Sequence, residues 1–254
     1  MMPSIVDVSG LNRISRTIFT RAAGAISGMV EAKIDTEGGK PLIVASMFGN
    51  TTTCVNEAKA VLEEAGYEVL VFHATGSGGK AMESLIESGM VSGVLDVTTT
   101  EWADEIVGAT LTAGPTRMDA MAKAKVPAVV APGCVDMANF GTRGTVPTEF
   151  EGRTFYIHNP QVTLMRTNAG ECAEIGKVIA AKANANSAPV AILNPLKAVS
   201  EINGEGQAFH DPEADMALFD AIRSNATVEV VDLDEPINSP TFAKTCAEKL
   251  LELI

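Results

Sequence analysis

Short apolar runs that return at intervals, each followed by a helix-forming stretch, constrain this chain more than any other feature of its sequence. They are PLIVASMF from Pro41, EVLVFH from Glu68 to His73, GVLDV from Gly93 to Val97, PAVVA from Pro127 to Ala131, PVAIL from Pro189 to Leu193 and VEVVDL from Val228 to Leu233. Continuous rather than alternating apolar character means that both faces of each strand need cover. That is the condition of a parallel sheet with helices on either side. Such connections are right-handed crossovers. The sequence therefore predicts a three-layer, doubly wound, Rossmann-like α/β fold with a mostly parallel sheet. TFYIH, from Thr154 to His158, is a further candidate strand.

Ahead of the first strand, Leu11, Ile14, Ile18, Ala22, Ile26 and Met29 share one helical stripe, with Arg13, Arg16 and Arg21 off it. This spacing predicts an amphipathic helix over 11–30. Asp35 to Lys40 reads as a turn, which divides the chain into an N-terminal helical arm and linker, 1–40, and an α/β domain, 41–254. Within the domain, helices are expected from Gly49-Asn50-Thr51 through about Ala65, from about Lys80 to Glu87, and from Glu101 onward. Pro132 to Pro160 is rich in Gly and Pro and reads as one long loop, a type often functional. A helix beginning near Gln161 is one option for the stretch that follows.

Composition removes several function classes. Among 254 residues, 19 Lys and Arg face 32 Asp and Glu, a formal net charge of −13, and aromatics make up 5% with Trp102 the sole tryptophan. Phosphate tracking needs basic charge and base stacking needs aromatics, so nucleic acid is not an expected partner. Residues 201–254 carry 12 acids against 3 Lys or Arg, the most acidic part of the chain. No apolar run approaches the roughly 18 residues of a membrane span, and no secretory signal opens the chain. Cys54, Cys134, Cys172 and Cys246 are widely separated. The expectation is four reduced thiols in a cytoplasmic protein.

In an open parallel sheet, ligands bind beyond the carboxyl ends of the strands, so the polar residues that follow each strand are the candidates. His73, Thr75, Gly76, Ser77, Gly78, Gly79 and Lys80 form the sharpest cluster. Glycines at a strand-to-helix junction let backbone N–H groups approach an anion, the helix N-terminus adds partial positive charge, and Lys80 adds a full one. The alternative is a tight turn that needs glycine for its own geometry. The loop is not a Walker A motif, because Ala74 and Ala81 stand where Gly and Ser or Thr would be needed. Thr98, Thr99 and Thr100 offer hydroxyls and Glu101 a base, with an ordinary helix cap as the alternative for Thr100. Asp136 and Asn139 follow the fourth strand beside Cys134, which reads either as a nucleophile or as a buried structural thiol. His158 and Asn159 precede Thr163, Arg166 and Thr167. On a helix, the two threonines would be i,i+4 neighbours and Arg166 would clamp an anionic group bidentately. His210-Asp211-Pro212 reads first as a capped helix start. Three scattered histidines give no zinc pattern, which leaves Mg²⁺ carried by a nucleotide as the metal to consider.

At these motifs the chain resembles a known group. VDVSGLNRIS, ASMFGNTTTCV, GYEVLVFHATGSGGKAME, GVLDVTTTEWADE, PGCVDMANFG and HNPQVTLMRT are similar to the Tm-one-like ATP-binding family of microbial and plant proteins, which includes a plant antiviral resistance protein. The resemblance runs from Ser4 to the C-terminus. It implies two Rossmann-like halves, of which this sequence resembles the C-terminal half only. It implies ATP with Mg²⁺ shared with a separately encoded N-terminal-half subunit, and a homodimer or other homo-oligomer.

Two functions are expected from these observations. The first is an enzyme subunit acting on a small anionic metabolite, with Glu101, Asp136 and His158 as acid–base groups, the glycine loop holding phosphate or carboxylate, and Arg166 holding a second anionic group. The alternative is a non-catalytic, nucleotide-sensing or regulatory module that presents a surface to another protein. The ionisable residues at the strand ends favour the first.

Overall fold

The computed structural model describes residues 1–33 and 39–254, which form two compact units, 1–39 and 40–254. The turn expected at Asp35 to Lys40 falls largely outside the described residues. In the first unit, helix α1 spans Arg13–Glu31. Asn12 caps it by accepting from the backbone N–H of Ile14 and Ser15, and the Ser15 hydroxyl accepts from the Asn12 N–H in return. This reciprocal box satisfies donors that a helix start leaves orphaned. Leu11, Ile14, Ile26 and Met29 of the expected stripe are exposed.

The second unit follows the predicted rhythm. Its elements are β1 (Leu42–Met47), α2 (Thr52–Glu64), β2 (Glu68–His73), α3 (Ser77–Glu87), β3 (Val91–Thr98), α4 (Glu101–Val107), α5 (Asp119–Ala124) and β4 (Ala128–Gly133). Then come β5 (Met137–Phe140), β6 (Phe155–Asn159), β7 (Val162–Arg166), α6 (Ala169–Asn184), β8 (Val190–Pro195), α7 (Pro212–Asn225), β9 (Glu229–Leu233) and α8 (Pro240–Leu253). Six strands pair in the order β2-β1-β3-β4-β8-β9, every pair parallel.

Strand periodicity sends neighbouring side chains to opposite faces, and both faces are filled here. Val44, Val94, Val130 and Ile192 pack toward α3, α4, α5, α6 and α7. Ile43, Leu95, Val129 and Leu193 pack toward α2 and α8, around Leu62 and Phe242. This is the three-layer α/β arrangement that the apolar runs required. Asp211 and Pro212 cap and open α7 as expected, with the Ala214 N–H donating to Asp211 Oδ1 at 3.1 Å. No helix among the described residues is long and apolar enough to cross a membrane.

Two expectations are corrected. Pro132 to Pro160 is not one loop, because it holds β5 and β6, which join β7 in an antiparallel sheet of order β5-β7-β6. No helix begins near Gln161. Asn159 pairs with Val162 across Pro160 and Gln161, and Asn159 Oδ1 accepts from the Gln161 N–H at 2.9 Å, the local bond that asparagine uses to start a turn. Thr163 therefore lies within a strand, and β-branched Val162 and Thr163 suit it better than a helix.

Candidate functional site

The strand order reverses direction at β1, where the chain steps to β2 on one side and to β3 on the other. Ligands of open α/β sheets bind outside the carboxyl ends at such a point. A cleft of about 460 Å³ lies there, within the ordinary range of small-molecule sites. Phe48 and Asn50 after β1, and His73 and Thr75 at the end of β2, form one wall. Asn139 of β5, His158 and Asn159 of β6, and Val162 and Leu164 of β7 form the other. The chain has three histidines, and two of them line this cleft. The His73 ring meets Phe48 edge-on, with centroids 5.4 Å apart. The antiparallel sheet thus supplies a full wall, including apolar residues that sequence reasoning left out.

The glycine loop lies beside the cleft but holds an anion of the protein's own. Glu101 Oε1 accepts from the N–H of Gly76 at 2.6 Å and of Gly79 at 3.1 Å, and the Arg117 Nε–H donates to Oε2 at 2.6 Å. Helix α3 starts at Ser77, so Gly78 and Gly79 belong to its first turn. A Cβ on Gly79 would overlap the Glu101 carboxylate, and one on Gly78 would overlap the His73 carbonyl. Sequence position alone suggested the loop as a ligand cradle and Glu101 as a base; the fold gives each to the other. Ser77 and Lys80 are exposed and do not line the cleft.

Arg117 is the residue that sequence reasoning missed. It is 1% exposed and faces three carboxylates. Its two terminal nitrogens donate to Asp96 at 2.6 and 2.7 Å, and Nη1 donates also to Glu83 at 3.1 Å. Burial opposes its charge, and Asp96, Glu101 and Glu83 together more than offset burial, so its pKa lies above the usual value. Burial likewise raises Glu83, against the pull of Arg117. A signal for this network existed: Asp96 stands inside an apolar strand covered on both faces, and a buried charge demands a partner.

The threonine run ties strands together. Thr98 Oγ1 bonds Thr51 Oγ1 at 2.8 Å, and Thr99 Oγ1 donates to the Ala131 carbonyl at 3.0 Å. Thr100 occupies the cap position of α4 without a capping bond from its side chain.

Asp136 and Arg166 lie together, away from the cleft lining. Asp136 is wholly buried, with the Ser200 hydroxyl donating to Oδ2 at 2.7 Å. Burial pushes its pKa up to about 6 against the opposing charge of Arg166. Arg166 donates to the Phe209 carbonyl at 2.8 Å, to Thr167, and to Asp215 Oδ1 at 2.6 Å. The expected clamp on a ligand is thus a clamp on the start of α7. Cys134 is fully buried with burial raising its pKa, which is the structural-thiol alternative.

Asp104 holds Asn139 in place. Its Oδ1 accepts from the Asn139 backbone N–H at 2.9 Å and its Oδ2 from Asn139 Nδ2 at 2.7 Å. Burial raises its pKa to about 6, against these hydrogen bonds. Asp104 and Asp136 therefore bind more protons folded than unfolded between about pH 4 and 6, so their contribution to stability falls as pH rises through that window. Asp136→Asn removes one such group. Urea unfolding should show the variant gaining on the unmodified chain by up to about 3 kcal/mol between pH 4 and 7. A pH-independent difference would refute this assignment.

Residues 40–254 match the profile of the C-terminal domain of an uncharacterised protein family, UPF0261, and residues 1–35 match the profile of its N-terminal domain. The chain belongs to the UPF0261 family. Residues 1–35 carry the N-terminal-domain match, so the family match is not confined to the C-terminal domain. A UPF0261 protein of Clostridium tetani is 51% identical over 258 residues, covering 100% of this chain and 64% of its own length. A UPF0261 protein of Mesorhizobium japonicum is 46% identical, covering 97% of this chain and 63% of its own length. The ToMV resistance protein Tm-1(GCR237) of Solanum lycopersicum is 40% identical, covering 100% of this chain and 35% of its own length. This chain thus spans under two thirds of each of these UPF0261 relatives. A thioesterase domain from the curacin biosynthetic pathway superposes with a TM-score of 0.39 at 12% identity, covering 84% of this chain and 91% of that one. A likeness that low carries no functional argument.

Proposed function

We propose that this chain binds a small anionic ligand, a carboxylate or phosphate, in the cleft at the carboxyl ends of β1 and β2, as part of a cytoplasmic enzyme with His73 and His158 as its acid–base groups. The observation that carries this reading is the convergence of two of three histidines on an amide-rich cleft at the point where the strand order reverses. Histidine is the side chain whose ordinary pKa lies nearest neutrality, which suits it to move protons there. Imidazole and amide N–H groups from His73, His158, Asn50 and Asn159 would receive the anion, since the N–H groups of Gly76 and Gly79 hold Glu101.

The cleft does not fit Mg-ATP by itself. Among the described residues no lysine or arginine lines it, and Glu201 is its one carboxylate. A nucleotide, which the resemblance implies, would need groups from elsewhere. We propose that a separately encoded N-terminal-half subunit supplies them and that this chain also associates with copies of itself.

A thermal-shift series on the full chain with inorganic phosphate, hexanoate and Mg-ATP tests the reading. Ligand at 100 times its Kd adds about 2.7 kcal/mol, roughly 5–10 °C for a domain of this size. Phosphate or hexanoate should raise the midpoint of the unmodified chain. The double variant His73→Ala/His158→Ala should lose that rise while keeping its own midpoint, because both side chains are exposed. An equal rise in the double variant would overturn the proposal.

A further inference from the structure

From Val8 to Val30 the chain carries three arginines and no acid. With about 3.6 residues per turn, Ile14, Ile18, Ala22, Ile26 and Met29 fall on one side of α1, and Phe19 and Val30 widen it. Thr20 and Ser27 fall on the opposite side. Helices in folded proteins owe most of their stability to packing such an apolar side. Yet Leu11, Ile26, Met29 and Val30 are between 64% and 82% exposed. Ile5, Ile14 and Ile18 line an open groove of about 430 Å³ beside the helix, together with Arg13 and Arg21. Apolar surface left open along a whole helix marks a place where something binds.

Residues 1–35 match the UPF0261 N-terminal domain, and more than a third of the Clostridium tetani protein lies outside its match to this chain. A stretch of that length is too short to enclose a core, since chains below about 40 residues need disulfides, metals or association to fold. We infer that the apolar side of α1 is a docking surface for the remainder of a UPF0261 N-terminal domain, whose core α1 completes. The inference rests on the N-terminal-half subunit proposed above and assigns it a surface on this chain. A second copy fits that surface less well. Two α1 helices packed antiparallel about a two-fold near Ala22 would bring Arg21 toward its own image, with no acid from Val8 to Val30 to answer it. Anionic lipid would suit the arginines, and the domain match is what favours a protein occupant.

The test co-expresses the full chain, carrying an affinity tag, with the N-terminal portion of the Clostridium tetani protein that lies outside the match. The portion should co-purify with the unmodified chain, whether or not it is soluble when expressed alone. Ile14→Asp/Ile26→Asp should lower its capture about tenfold or more, the loss expected when charge enters the desolvated centre of an interface. Thr20→Asp/Ser27→Asp puts the same two charges on the opposite, equally exposed side and should capture as the unmodified chain does. Because both variants carry the same helix propensity, a difference between them reads the surface and not the folding of α1. No capture by the unmodified chain would overturn this inference together with the separate subunit, and would leave the anion cleft standing. Equal capture by both variants would keep the subunit and overturn its placement on α1. Binding of the unmodified chain to phosphatidylglycerol vesicles in place of capture, lost in Ile14→Asp/Ile26→Asp, would overturn it in favour of a lipid surface. A sedimenting dimer lost in that variant, again in place of capture, would overturn it in favour of a second copy.

Discussion

Arg117→Met should destabilise the chain by about 3–5 kcal/mol, the usual consequence of removing one partner from a buried ion pair. Methionine replaces the length of the side chain but leaves Asp96, Glu83 and Glu101 facing one another without a cation. Asp96 would keep only the Ser46 hydroxyl, which donates at 2.6 Å. Glu101 would keep the two loop N–H groups, and Glu83 the N–H groups of Met118 and Ala120. Trp102, on α4 next to Glu101 and 3% exposed, is a natural fluorescence reporter for urea unfolding. Adding Asp96→Asn and Glu101→Gln to Arg117→Met should restore part of the loss, because the abandoned charges cause it. A cost below about 1 kcal/mol would place this network with surface pairs in energetic terms and refute its structural role.

Arg166→Met is expected to cost a similar 3–5 kcal/mol, and here stability and binding should part company. The guanidinium joins the end of β7 to the Phe209 carbonyl and to Asp215 on α7. Its removal leaves Asp215, 15% exposed in its side chain, and wholly buried Asp136 without their cation. A ligand clamp would behave otherwise, since its loss would abolish binding and spare the fold. The folded fraction of Arg166→Met should therefore retain its phosphate or hexanoate shift while the midpoint falls. An unchanged midpoint with binding lost would return Arg166 to the role that its sequence position suggested.

These two arginines also mark where sequence reading stops. The parallel strands were legible because burial on both faces writes itself into consecutive residues, and β2 was found at Glu68 to His73 without error. β5 and β7 were not. MANF and VTLMR are short, and they sit in a Gly- and Pro-rich stretch where punctuation outweighs periodicity. Spacing made Arg166 visible as a charge and said nothing of Asp215, 49 residues away. Arg117 lies 16, 21 and 34 residues from its three carboxylates, so only the assembled sheet brings them together. Sequence position marks the glycine loop as a place where an anion can approach the backbone, but local sequence cannot say whether that anion arrives from solvent or from the next helix. His73, His158 and Asn159 were legible because strand ends are where an open sheet leaves its polar residues.

The small antiparallel sheet leaves the main one after β4 and returns through α6 to β8, contributing no strand to the six that carry the core. One wall of the cleft is therefore written in residues whose replacement need not disturb parallel pairing, while the opposite wall is bound to the ends of β1 and β2. Related chains can lengthen or reshape the mostly exposed strand β6 and its turn into β7 and keep the same scaffold, as surface segments on rigid frameworks generally allow. Divergence among relatives should then concentrate on the His158 wall, with the His73 wall changing more slowly because the same backbone must also seat Glu101.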